Sequence, residues 1–117
     1  DQFSRQIFRA DAKAFAYDDM ALALAQQAVA AGLDTQLDQS EKQFLYMPYM
    51  HSESRVVHAE AVCLFESLGH AESLAYEHSH KDIIDQFGRY PHRNMILGRE
   101  STRTEIDYLA NNQKDFF

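Results

Sequence analysis

A chain of 117 residues with net charge −7 is one domain at most, with room for a modest core. The acidic balance argues against non-specific binding of nucleic acid or an anionic membrane surface, both of which need a basic face. No apolar run approaches the roughly 18 residues of a membrane span.

In chain order, nearly every segment reads as helix. Residues 1–9 place Phe3, Ile7 and Phe8 on one side and Arg5 and Arg9, one turn apart, on another. Residues 12–31 are Ala-rich and stop at Gly32, a natural residue just past a helix end. Ser40, with Gln43 three residues on, has capping-box spacing; Phe44, Leu45 and Met47 follow, and Pro48 is expected to end or kink that helix. Residues 53–68 are the clearest amphipathic stretch (Val56, Val57, Ala61, Leu64, Phe65, Leu68), closed by Gly69. Residues 71–87 form another, closed by Gly88. Thr102 and Glu105 give a second capping-box pattern and open a short helix, after which the tail from Asn111 has no period. No strand alternation appears over a useful length, so the class is all-α, a single domain over 1–117 whose short connections favour antiparallel neighbours.

Three side chains are expected in the core: Phe44, Phe65 and Phe87. The tyrosines read either as pocket-lining groups or as the outer layer of the core. The single Cys63, between Val62 and Leu64, reads as a small buried hydrophobe in a reducing compartment, which implies a cytoplasmic setting. Asp1 opens the chain with no Met and no signal-peptide pattern, so a fragment or processed piece is expected.

The block Phe87-Gly88-Arg89-Tyr90-Pro91-His92-Arg93-Asn94, then Leu97-Gly98-Arg99 and Ser101-Thr102, holds more chemistry than a connecting loop needs: three Arg, a His and an Asn within eleven positions. Arg presents a planar fork of donors matched to carboxylate or phosphate. With Arg5, Arg9 and His51, the residues Arg89, His92, Arg93, Asn94 and Arg99 are therefore candidate ligands of a small anion. The structural alternative is that the Arg side chains hold helix carbonyls and internal carboxylates such as Asp1, Glu53 or Glu105.

These segments resemble the bacterial family catalogued as domain of unknown function 924. Asp1-Gln2-Phe3 with Arg5 and Ile7-Phe8-Arg9 is similar to one of its motifs, and Phe44-Leu45-Tyr46-Met47-Pro48 with His51-Ser52-Glu53 to another. Ser4 and Gln6 depart from it, standing where the family has Pro and Asn. The resemblance implies an antiparallel helical array like a tetratricopeptide-type superhelix. It also implies that this chain is the C-terminal two-thirds of the family domain, so self-association or a second fragment would cover the missing N-terminal helices. It implies no reaction.

His51, Glu53 and His92 are the candidates for acid–base chemistry, since Arg neighbours favour a neutral imidazole. The plain alternative for His51-Ser52-Glu53 is a helix start, with Ser52 as cap and Glu53 in the first turn. Glu77-x-x-His80 has the spacing of a di-metal carboxylate motif but stands alone, so no metal or other cofactor is expected, and His58, His70 and His78 read as solvent-facing or partly buried. Three function classes follow: a domain binding a small anionic carboxylate or phosphate, a scaffold gripping an acidic or C-terminal peptide carboxylate, and a metal-dependent enzyme.

Overall fold

The computed structural model describes Phe15 and residues 17–111, and Arg5 and Arg9 lie outside them. The described residues are helical, with no strand among them. In chain order they form α1 (Asp18–Ala30), a 3-10 turn (Leu33–Gln36), α2 (Gln39–His51), α3 (Arg55–Leu68), α4 (Ala71–Phe87), a second 3-10 turn (Pro91–Arg93), the one-turn α5 (Asn94–Leu97) and α6 (Arg103–Asn111).

Each helix start and stop has a local cause. Asp18 and Asp19 sit in the first turn of α1, where carboxylates favour the positive helix end. The cap of α2 is Asp38, not Ser40: its carboxylate accepts from the Glu41 N–H at 2.8 Å, and Glu41 accepts from the Asp38 N–H at 3.1 Å. Both patterns are present in the sequence. The carboxylate pair adds charge at the helix start, which Ser40 and Gln43 lack. Pro48 does not end α2, which continues to His51, and it denies an N–H to the Phe44 carbonyl. Ser54, not Ser52, caps α3 and accepts from the Val57 N–H. Gly69 and Gly88 close α3 and α4 at φ of 77° and 76°, a conformation that a Cβ disfavours.

Consecutive helices pack side by side: α1 on α2, α2 on α3, α3 on α4. Helix α3 buries His58, Ala61, Phe65 and Leu68, one stripe of helical period. Against it lie Tyr46, Tyr49 and Met50 of α2 and Ala25 of α1. The Phe65 ring meets Tyr46 edge-on, centroids 5.9 Å apart. A second, smaller cluster joins Ile83 and Ile84 of α4 to Tyr90, with Phe87 and Tyr108 packed on it.

Three burial expectations change. Phe65 is core and Phe87 packs at the edge of the second cluster, but Phe44 is 65% exposed. Two residues along a helix is a rotation of about 200°, so burying Tyr46 turns Phe44 outward. Cys63 and Val56 are exposed for the same reason, lying off the stripe through residues 58, 61, 65 and 68. Tyr46, Tyr49 and Tyr90 are core residues, not an outer layer; the Tyr46 hydroxyl donates to Asp34 at 2.5 Å, and burial pushes its ionisation far up.

Candidate functional site

The α2–α3 loop and the Arg block face one another. The loop arrives on α2, whose last turn ends at His51, and leaves on α3, which starts at Arg55. The block hangs between the Gly88 stop of α4 and the Thr102–Glu105 capping box of α6. Tyr90 anchors the block to the loop: its N–H donates to Glu53 Oε2 at 2.7 Å and its hydroxyl donates to the Met50 carbonyl at 2.5 Å.

All three arginines in the block face internal carboxylates, and two of them, Arg99 and Arg89, do so through forked hydrogen bonds. Arg99 forks onto Glu53, with Nη1–Oε1 at 3.0 Å and Nη2–Oε2 at 3.1 Å, and its Nε donates to Asn94 Oδ1 at 3.0 Å. Arg89 forks onto Glu105, with Nε–Oε2 at 2.8 Å and Nη2–Oε1 at 2.7 Å, and also reaches the Glu100 carbonyl. Asn94 is fully buried and donates to Ser101 Oγ. These bonds leave acidic shifts behind: the Arg89 guanidinium holds the Glu105 carboxyl down at about 2. Glu53 is also lowered, with Arg99 and the Tyr90 N–H outweighing the upward push of burial. Arg99 thus ties the block to the α2–α3 loop, and Arg89 and Asn94 brace the block itself against α6 and its approach, as a structural role requires.

Arg93 is placed differently. It is 4% exposed, its guanidinium stacks over the Tyr90 ring at 4.7 Å and the Phe15 ring at 4.5 Å, and Nη2 donates to the His51 carbonyl at 3.0 Å. It reaches Asp18 of α1 at 3.8 Å. Arg93 also lines a partly open pocket of about 250 Å³ with Phe15, Asp18, Asp19, His51 and Glu53; Leu22, Pro48, Ser52 and Leu97 complete the wall. Of the sequence candidates, His51, Glu53 and Arg93 meet at this pocket. Arg89, His92, Asn94 and Arg99 are not on its wall. His92 packs its ring near Tyr90, with centroids 6.0 Å apart.

One group of residues was misread from sequence. His58 is fully buried, not solvent-facing, and joins fully buried Glu77 through Nδ1–Oε2 at 2.8 Å. Its Nε2 lies 2.6 Å from the Ser52 carbonyl and 2.9 Å from the Tyr90 hydroxyl. His80 is buried too, its Nδ1 donating to the Tyr76 carbonyl at 2.7 Å, and burial lowers it to about 3, so the ring is neutral. The signal was phase: His58 precedes Ala61 and Phe65 by three and seven residues, and Glu77 and His80 precede Ile84 by seven and four. Glu77 and His80 therefore serve internal partners, and among the described residues no group of three or more His, Cys, Asp or Glu is arranged to hold a metal ion. Nor is any described helix long and apolar enough to cross a membrane.

Comparison with known proteins agrees with this architecture without adding a reaction. A solved structure of a protein of unknown function from Agrobacterium tumefaciens superposes with a TM-score of 0.89 at 38% identity, covering 96% of this chain. The chain spans 63% of that protein's length. A search of curated proteins returns no match. The family described as "Bacterial protein of unknown function (DUF924)" matches residues 1–113, and the chain belongs to that family.

Proposed function

We propose that this domain binds a compact metabolite through a carboxylate or phosphate received by Arg93. The observation that carries the reading is one nearly buried guanidinium on the wall of a 250 Å³ pocket built from three separate chain segments. A buried Arg on a concave surface supplies orientation and charge with little side-chain entropy left to lose. The volume lies just below the usual range of about 300–1,000 Å³ for ligand sites, so the ligand is small. The lining refines its chemistry. Glu53 is matched by Arg99, and on the α1 side Arg93 is flanked by Asp18, 3.8 Å away, and by Asp19. A ligand with an anionic group toward Arg93 and a donor or cationic group toward the aspartates fits better than a simple anion. His51 and Glu53 stand at the same wall as the candidate acid–base pair if a reaction occurs there. The exposed Cys63 favours a reducing, cytoplasmic setting.

The test is a thermal-shift screen with inorganic phosphate, small carboxylates and amino acids. A ligand at 100 times its Kd adds about 2.7 kcal/mol of stability. Asp19→Asn, at an exposed wall position, should weaken the response to amino acids while costing the ligand-free fold only roughly the few tenths of a kcal/mol of a first-turn charge, and Arg93→Lys should weaken every response. No shift with any compound would overturn the reading and favour a surface that grips an acidic or C-terminal peptide.

A further inference from the structure

We propose that His58 is a positioning residue for the pocket: with Glu77 it forms a buried pair sharing one proton, and that pair fixes the α2–α3 loop through the Ser52 carbonyl. The inference deepens the pocket reading, because Ser52 and its neighbours His51 and Glu53 are wall residues.

Proton counting carries the argument. The Ser52 carbonyl can only accept, and it lies 2.6 Å from His58 Nε2, so Nε2 carries a hydrogen. The Tyr90 hydroxyl gives its own hydrogen to the Met50 carbonyl, so toward Nε2 it too accepts. One nitrogen therefore holds the carbonyl of Ser52 and the hydroxyl of Tyr90 together. On the other side, Nδ1 and Glu77 Oε2 are 2.8 Å apart, which requires one hydrogen between them. The hydrogen belongs either to an imidazolium facing a carboxylate or to a carboxylic acid facing a neutral ring. Both arrangements are neutral overall, as a pair with 0% exposure on each side demands.

With no proton, a lone pair faces a carboxylate and a bare negative charge is buried. With two, hydrogens collide across 2.8 Å and a positive charge is buried. Losing the shared proton leaves one ring N–H for two acceptors: kept on Nε2 it abandons Glu77, and moved to Nδ1 it abandons the Ser52 carbonyl, so the arrangement that holds the loop is lost either way. The remaining oxygen, Glu77 Oε1, is buried without a hydrogen-bond partner, so no hydrogen bond stabilises the ionised carboxylate on that side. Burial accordingly raises Glu77 despite the opposing pull of His58. The surrounding groups are His51 from α2, Glu53 from the loop, His78, His80 and Lys81 from α4, Arg93 from the second 3-10 turn, and Tyr90 just before that turn. His80 is neutral, and Glu53 is matched by Arg99, so neither supplies the missing charge.

The test is backbone hydrogen exchange of the 117-residue chain, read at the Ser52, Ser54 and Tyr90 amides. These donate to the Tyr49 carbonyl, Ser52 Oγ and Glu53 Oε2 respectively. At neutral pH, Glu77→Leu should lose protection at all three while the amides within α3 and α4 keep theirs. Glu77→Gln should keep the protection, because an amide N–H can donate to Nδ1. Raising the pH should lower protection in the parent and leave Glu77→Gln unchanged, since the glutamine cannot ionise. Retained protection in a folded Glu77→Leu would overturn the positioning role. Identical pH profiles for parent and Glu77→Gln, an experiment that stands even if Glu77→Leu fails to fold, would overturn the shared proton. No ligand enters the measurement, so a blank thermal-shift screen leaves this result intact, and the reverse also holds.

Discussion

Phe65 belongs to an apolar cluster with Ala25, Met50, Ala61 and Leu68, joined by the rings of Tyr46 and Tyr49. Around Tyr90, some of the largest buried groups are His58, Glu77, Glu105 and Asn94, and the apolar contribution falls to Ile83 and Ile84 with Phe87 and Tyr108 at the edge. The first region is held by area removed from water, which does not depend on protonation. The second is held by ion pairs and hydrogen bonds whose partners must keep particular charges. The two regions should therefore answer differently to the same insult, and the pocket belongs to the one that titrates.

The largest effect expected is in the apolar half. Phe65→Ala removes a fully buried ring and should cost about 3–5 kcal/mol, read as a lower denaturant midpoint at every pH. In the polar half, Glu53→Gln removes the charge opposite the Arg99 fork but keeps an acceptor for the Tyr90 N–H. A loss of about 2 kcal/mol is expected, shrinking as the pH falls, because the parent then loses the same charge.

Acid should separate the regions further. Glu53 and Glu105 are lowered in the fold, so their stabilisation is complete above the ordinary 4.5 and disappears as the pH falls through their folded values, about 2 for Glu105. His80 is lowered to about 3, so its contribution is complete above 6.5 and declines as the pH drops from there toward 3. Glu77 is raised and runs the other way, favouring the fold below 4.5 and losing that benefit as the pH rises through its folded value. Near-ultraviolet signals from the tyrosines should therefore change in acid before helicity does. A single coincident transition would refute the division into two regions. The smallest effect is the control: Phe44→Ser, at an exposed ring, should stay within about 0.5 kcal/mol of the parent.

Much of the framework was legible in the sequence for simple reasons. Gly32, Gly69 and Gly88 mark stops because helix ends use left-handed backbone, and all three have positive φ. Thr102 and Glu105 read correctly because no rival pair stood nearby, whereas Asp38 and Ser40 offered competing caps two residues apart. Phe44, Val56 and Cys63 were misplaced because hydrophobic character was weighed above phase along the helix. In the site, Glu53 and Glu105 were named as carboxylates for the Arg block, but which Arg each would take depends on the fold. Glu77 and His58 are nineteen residues apart on different helices, so no local spacing could pair them.

The Arg99–Glu53 fork joins residues 46 apart in sequence, and the Tyr90–Met50 and Arg93–His51 bonds join residues 40 and 42 apart. The α2–α3 and α3–α4 hairpins close over far shorter loops. Because long loops lose more entropy before any contact rewards them, the hairpins should assemble first and the polar junction last. A substitution such as Glu53→Gln should then act on the unfolding rate and leave the refolding rate nearly untouched, whereas Phe65→Ala slows refolding as well. The residues that shape the pocket would in that case govern how long the native state lasts, and the apolar helices how quickly it is reached.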